Sequence, residues 1–202
     1  MIPCVGRSYY FCGELALKIN KKTGLLNGVS YFPSEHCDDR SKNTQIDLLV
    51  IHGISLPPGR FGTGAVKRFF CGELDMSEDP SYEMISHLRV SAHLLISRTG
   101  EITQFVPFIK RAWHAGQSYF QGREHCNDFS IGIELEGTND LPYEKIQYVQ
   151  LARIIKVLQH SYPGITRDRI VGHSDIAPGR KEDPGPFFSW QMLDEWLEGN
   201  AL

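Results

Sequence analysis

The sequence predicts a single domain of the α/β (α+β) class, with a mixed central β-sheet flanked by helices. Three observations carry that expectation. From Ile46 to Ile51 the chain is apolar apart from Asp47, the pattern of a strand buried on both faces. From Ser130 to Gly137 it alternates, with Ile131, Ile133 and Leu135 on one face and Glu134 and Glu136 on the other. From about Glu144 to His160 the period becomes helical, and Tyr148, Leu151, Ile155 and Leu158 form one stripe that ends before Pro163-Gly164. Strands and helices therefore intermix along the chain, as layered packing of helices on a sheet requires.

The remaining elements follow in order. Met1 to Leu17 holds no secretory h-region, because Glu14 interrupts it, and Lys18 to Gly24 is polar and turn-like. Residues 1–23 are therefore expected to form an N-terminal extension to a domain spanning residues 24–202. Ser55-Leu56-Pro57-Pro58-Gly59 breaks the first strand into a loop, and Gly64 to Phe70 reads as a short helix. Val90 to Ser97 and Glu101 to Val106 flank Arg98-Thr99-Gly100 as an antiparallel hairpin. Ile170-Val171 is a short strand leading into His173, and Trp190 to Leu197 is a terminal amphipathic helix. No repeat or low-complexity tract interrupts this order, and no linker divides it.

Composition excludes several classes. With 41% hydrophobic and 22% charged residues in a chain of 202, a sizeable core is available. The formal net charge is -3 and no basic run with interleaved aromatics occurs, so nucleic acid is not an expected partner. No window approaches the ~18 apolar residues of a membrane span. Cys4, Cys12, Cys37, Cys71 and Cys126 are odd in number, scattered and never paired as C-x-x-C, against both a disulfide framework and a thiolate zinc site. Any zinc would be held by nitrogen and oxygen, and reduced thiols point to the cytoplasm. No residue pattern specifies an oligomeric state.

The chemistry concentrates in the loop from Gly172 to Pro186, where His173, Lys181 and Asp183 share a stretch stiffened by proline and glycine. Far upstream, the buried strand runs straight into His52. Two histidines at strand ends plus one carboxylate match a three-ligand zinc set whose fourth position is left to water. Taken alone, each has an ordinary reading: His52 as a hydrogen-bonded core histidine, His173 as part of a turn, Asp183 as a turn former before Pro184. Glu134 points away from the apolar face of its strand, where it is either a cleft residue or a solvated one. Their combination is what raises the functional reading.

That combination resembles a family. Val50-Ile51-His52, Ser91-Ala92-His93, Arg111-Ala112-Trp113-His114-Ala115-Gly116, Ser130 to Gly137 and the His173 to Pro186 loop occur in this order in the zinc-dependent N-acetylmuramoyl-L-alanine amidases, most of all the AmpD type. The resemblance runs from roughly Gly24 to the C-terminus. It implies the mixed-sheet amidase type 2 fold shared with peptidoglycan recognition proteins, one zinc ion per chain, and a small anhydro-muropeptide as substrate. By position it makes His52, His173 and Asp183 the zinc ligands, Glu134 the catalytic carboxylate and Lys181 the cation beside the reacting carbonyl. It further implies hydrolysis of the amide between the lactyl group of muramic acid and L-alanine, in cytoplasmic cell-wall recycling.

Around this centre, Trp113 and His114 are expected as a substrate wall, since a tryptophan face suits a sugar ring. Arg89 is read either as the holder of a peptide carboxylate or as a plain surface arginine, and the sequence alone favours neither. His93 is expected within the strand that follows Arg89, as a structural histidine or one that supports a ligand from behind, and not as a ligand itself. Two positions depart from the AmpD type: Gly53 stands where asparagine is common, and His125 where an arginine is thought to meet a peptide carboxylate. Both are expected on the substrate side, and a neutral imidazole at His125 would hold an anion less strongly near pH 7. Two other readings remain: a lytic amidase acting on intact peptidoglycan, and a module that binds muropeptide without cutting it.

Overall fold

A computed structural model describes residues 17–199. Residues 1–16 lie outside it, and with them most of the expected N-terminal extension, Cys4 and Cys12. The described chain runs β1 (Ile19–Asn20), β2 (Leu25–Leu26), β3 (Ser30–Tyr31), β4 (Cys37–Asp39), β5 (Leu48–Ile54), α1 (Ala65–Phe70), β6 (Leu94–Ile96), β7 (Ile102–Gln104), β8 (Lys110–Ala112), β9 (Tyr119–Phe120), β10 (Arg123–Glu124), β11 (Ser130–Glu136), α2 (Lys145–Ser161), β12 (Ile170–Gly172), α3 (His173–Ile176) and α4 (Trp190–Glu198). β1 and β2 form a small hairpin, so the expected domain boundary at residue 24 falls inside its turn. Leu17 and Ile19 pack against the main core.

Six strands form the central sheet in the order β12-β5-β11-β6-β7-β3. β12, β5, β11 and β6 run parallel, β6 and β7 form the expected antiparallel hairpin, and β3 joins β7 in parallel. β5 extends beyond the apolar run to include His52, Gly53 and Ile54, because β11 pairs with it along its whole length, from Ser130 opposite Leu48 to Glu136 opposite Ile54. His93 lies just before β6 rather than within it. Its N–H still donates to the Gly132 carbonyl (3.0 Å), so the ladder begins one residue early.

The two faces of β5 and β11 bury different surfaces. Leu49, Ile51, Ile131, Ile133 and Leu135 join Tyr148, Leu151, Ile154, Ile155 and Leu158 of α2 in one apolar layer. Glu144 and Gln147 cap the start of that helix reciprocally. The buried Gln147 amide also donates to the carbonyls of Ile96 (3.2 Å) and Glu136 (3.1 Å), tying the helix to the ends of β6 and β11. Leu48 and Val50 face the opposite way, towards Ala115, Cys126, Phe129 and Ile176. α4 starts where Ser189 Oγ accepts from the Met192 N–H (3.1 Å) and stops at Gly199, whose positive φ suits a helix C-terminus.

One half-buried cation organises the region behind the sheet face. Arg40 donates to the carbonyls of Asn127 (3.0 Å), Asp128 (2.7 Å) and Ser130 (2.7 Å), and burial lowers its pKa to about 10. His93 Nδ1 accepts from the Gly132 N–H (3.0 Å) and its Nε2 faces the Lys110 carbonyl (3.1 Å), an assignment that fixes a neutral ring. Burial, then the Arg40 charge, holds its pKa down to about 3. His93 is structural, as expected. Cys37, Cys71 and Cys126 are free thiols, and among the described residues no helix is long and apolar enough to cross a membrane.

Candidate active site

His52, Glu134 and His173 are brought together by strand register. Glu134 is the Cα partner of His52 across β11 and β5, and Gly172 is the partner of Ile51 across β12 and β5. His173 follows Gly172 directly, so the three residues stand side by side at the carboxyl ends of parallel strands, where open α/β sheets place their sites. The Asp175 carboxylate accepts from the Gly172 N–H (2.7 Å), turning the chain sharply into α3 and aiming His173 back across the sheet. The loop after α3 then returns, and the Asp183 carbonyl accepts from the Ser174 N–H (2.9 Å), which sets Asp183 beside His173.

Three ligand atoms converge there. His52 Nδ1 is 3.0 Å from His173 Nδ1 and 3.1 Å from Asp183 Oδ2, and His173 Nδ1 is 3.1 Å from the same oxygen. Protons cannot satisfy this triangle: whichever nitrogens carry hydrogens, the two imidazoles and the carboxylate cannot all pair with one another. A cation can satisfy it. Three N/O ligands at tetrahedral corners around zinc would be about 3.3 Å apart, close to the spacing found. Among the described residues this is the one group of His, Cys, Asp or Glu side chains arranged to hold a metal ion.

The electrostatics agree with that donor set. Burial pushes the His52 imidazole down to about 4, so at neutral pH the ring is uncharged and one of its two nitrogens carries a free lone pair. Burial alone would raise the Asp183 carboxyl, but its close contacts with His173 and His52 hold it well below the usual range. The far side of each imidazole is also engaged. His173 Nε2 lies 3.2 Å from the Ala115 carbonyl, and His52 Nε2 lies 2.9 Å from His114 Nδ1, whose own Nε2 reaches Ser130 Oγ at 3.1 Å. With Nδ1 facing the cation position, His52 donates from Nε2 to His114, which donates on to Ser130. Such outer partners fix the tautomer and orientation of a metal-binding histidine.

Glu134 completes the group. It is 8% exposed, and its Oε2 is buried without a hydrogen-bond partner. Burial, then the Asp183 charge, raises its pKa well above the ordinary value, while Lys181 opposes the rise. His52, His173, Asp183, Glu134 and Lys181 all line one cavity of about 230 Å³, with Phe69, Ile85 and Leu88 on its apolar side.

The sequence model for N-acetylmuramoyl-L-alanine amidase matches residues 42–186, a span that contains all five of these side chains. The chain belongs to the N-acetylmuramoyl-L-alanine amidase family. It is 55% identical over 168 residues to the 1,6-anhydro-N-acetylmuramyl-L-alanine amidase AmpD of Haemophilus influenzae, covering 83% of this chain and 91% of that one. It superposes on the crystal structure of a selenomethionine AmpD derivative with a TM-score of 0.84 at 51% identity, covering 87% of this chain and 97% of the other. The Escherichia coli amidase AmiD, solved in complex with anhydro-N-acetylmuramic acid-L-Ala-D-gamma-Glu-L-Lys, matches with a TM-score of 0.55 at 28% identity, covering 90% of this chain and 65% of that one.

Within this amidase, the other residues singled out from the sequence are dispersed. His114 lines the cavity, and both its ring nitrogens are engaged, one by His52 and the other by Ser130. Trp113 stacks on His36, with ring centroids 6.2 Å apart, and is absent from the residues lining the cavity. Arg89 lies in an adjoining cavity of about 380 Å³ with Glu35 and His36, which shares Phe69 and Leu88 with the first. His125 lines a separate cavity of about 400 Å³ with Tyr119 and Arg180. Gly53 does line the metal-side cavity, yet a Cβ there would overlap the Tyr143 hydroxyl. Sequence reading missed both Tyr143 and the supporting place of His114. The signal for His114 was Gly132: a glycine inside a strand marks a close approach, and a Cβ at Gly132 would overlap the His114 ring.

Proposed function

We propose that this amidase hydrolyses the amide between the lactyl group of 1,6-anhydro-N-acetylmuramic acid and the L-alanine of its stem peptide, as a zinc enzyme of cell-wall recycling. The observation that carries the proposal is the convergence of His52 Nδ1, His173 Nδ1 and Asp183 Oδ2 beside the unpartnered Oε2 of Glu134. The AmpD relatives support the anhydro sugar, and free thiols among the described cysteines are consistent with a cytoplasmic setting.

His52, His173 and Asp183 would hold the ion. Zinc bound there would supply Lewis acidity, polarising the scissile carbonyl and bringing the pKa of a coordinated water towards about 7. Glu134 is the general base: its raised proton affinity and free oxygen suit it to take a proton from the attacking water and orient the remaining lone pair at the carbonyl carbon. As the new C–O bond forms, the ammonium of Lys181 faces the negative charge gathering on the carbonyl oxygen, a contribution of the kind worth about 3 to 4 kcal/mol per donor. Glu134 then returns its proton to the alanine nitrogen as the C–N bond breaks, leaving a lactyl carboxylate and a free L-alanyl peptide. Arg89, in the adjoining cavity beyond Leu88, would meet a carboxylate of a stem that extends that far.

The test compares soluble anhydro-muropeptide with intact sacculi, alongside zinc quantification. Release of free L-alanyl peptide from the soluble substrate, dependent on about one zinc per chain, is the expected result. Cleavage confined to sacculi would make the enzyme lytic, and muropeptide binding without cleavage would make the domain a recognition module.

A further inference from the structure

We propose that Tyr143 is a positioning residue that locks the Asp183 loop to the segment leaving the Glu134 strand, and that Gly53 and Gly137 are glycines because Tyr143 occupies their side-chain space. The proposal rests on Asp183 being a metal ligand.

Tyr143 lies between β11 and α2, buried at 6% exposure, with its ring edge-on to Phe188 at 5.6 Å. A Cβ on Gly137 would overlap Cε1 of the ring, and a Cβ on Gly53 would overlap the hydroxyl. The ring is thus wedged between the residue after Glu136 and the residue after His52. Its hydroxyl donates to the carbonyl of Pro184 (2.9 Å), a buried residue adjoining Asp183. On the other side, the Asp183 carbonyl is held by the Ser174 N–H (2.9 Å), next to His173. The backbone on both sides of the Asp183 side chain is therefore fixed: one tether runs to the His173 turn, the other to the chain leaving β11. Burial, then the Glu134 charge, keeps the phenol above its ordinary pKa, so it stays a donor throughout the working range. A tyrosine that merely filled space would leave its hydroxyl dispensable. Here the hydroxyl is the only part of Tyr143 that reaches the ligand loop's backbone by hydrogen bond, and removing it leaves a buried carbonyl unpaired.

The experiment measures zinc affinity by competition with a chelator, together with kcat and KM, for the wild type, Tyr143→Phe, Gly53→Ala and Leu158→Val. Leu158 is buried in α2, so Leu158→Val is the control for lost packing away from the site. Tyr143→Phe is expected to weaken zinc about tenfold and lower kcat with KM little changed, within the range of outer partners of metal ligands. Gly53→Ala, which keeps the hydroxyl but displaces it, should reproduce the loss, while Leu158→Val should lower Tm with zinc affinity unchanged. Zinc affinity of Tyr143→Phe within about twofold of wild type, well short of that range, overturns the proposal. So does an equal loss of zinc in Leu158→Val. A wild type that binds no zinc overturns the ligand assignment itself, a result distinct from either.

Discussion

His52 and Glu134 are Cα partners in the parallel ladder of β5 and β11, so their side chains emerge side by side on one face of the sheet. The candidate metal ligand and the candidate base are thereby set by backbone hydrogen bonding, on strands whose other face is packed under α2. Precision of this kind favours a site built on strands over one built on loops.

The pairing makes Glu134→Gln the sharpest probe of the base. The amide preserves shape but cannot accept the proton, and turnover should fall by about 10²- to 10⁴-fold, the usual range for a positioned base. Zinc content should be unchanged, because Glu134 is outside the ligand triangle. Peptide release and metal analysis on the same preparation check both outcomes.

The pH profile follows from the same residue. Burial raises the Glu134 pKa, with Lys181 opposing, and the base works only when ionised. Activity should therefore disappear as pH falls through a value above the ordinary carboxylate range of about 4.3. Lys181→Ala removes a charge that favours the ionised form, so it should move this acid limb to higher pH as well as lowering kcat. A limb that stays in place while kcat falls would restrict Lys181 to the oxyanion.

Much of this site could be read from the sequence because its strands carry two distinct faces. The alternation of Ile131, Ile133 and Leu135 with Glu134 and Glu136 announced which side of β11 faces a cleft, and the apolar run before His52 announced a central strand. The partnership of His52 with Glu134 was not legible, since it depends on which strands become neighbours across more than seventy intervening residues. β1, β2, β3, β9 and β10 span two residues each, too short for any period to register. Trp113, Arg89 and His125 were read as neighbours of the centre from their motifs. The fold instead stacks Trp113 on His36 and distributes the other two among adjoining and separate cavities.

Asp183→Ala tests the ligand set. With the carboxylate gone, two imidazole nitrogens 3.0 Å apart face each other without an anion between them. Zinc affinity should drop by more than about 100-fold, beyond the range typical of outer-shell changes. Chelator competition measures it, and full retention of metal would remove Asp183 from the site.

Acid stability offers a check away from the centre. Arg111 donates to Asp38 Oδ1 (2.6 Å) and to Asp128 Oδ1 (2.6 Å), joining β8 to β4 and to the turn before β11. The hydrogen bond from Arg111 is the largest influence on Asp38 and lowers its pKa. A carboxylate lowered on folding contributes stability above its unfolded pKa of about 3.9, and that contribution is lost as pH falls through the folded value. Asp38→Asn should therefore lower Tm at neutral pH and narrow the difference from wild type as pH falls below about 4. A constant Tm difference across that range would show that the pair contributes nothing through charge, as many exposed pairs do not.

Gly132→Ala tests whether the support behind His52 is as close-fitting as it looks. The new methyl would overlap the His114 ring, and His114 cannot retreat without abandoning its contacts to His52 Nε2 or Ser130 Oγ. Overpacking in a rigid interior usually costs about 1–3 kcal/mol, so thermal unfolding should register the change directly. Zinc affinity should fall with it, because the displaced ring no longer orients His52. His114→Ala in the Gly132→Ala background makes room for the methyl: the packing strain should be relieved, but the zinc defect should persist. Recovery of both together would mean that His114 fills space without steering the ligand.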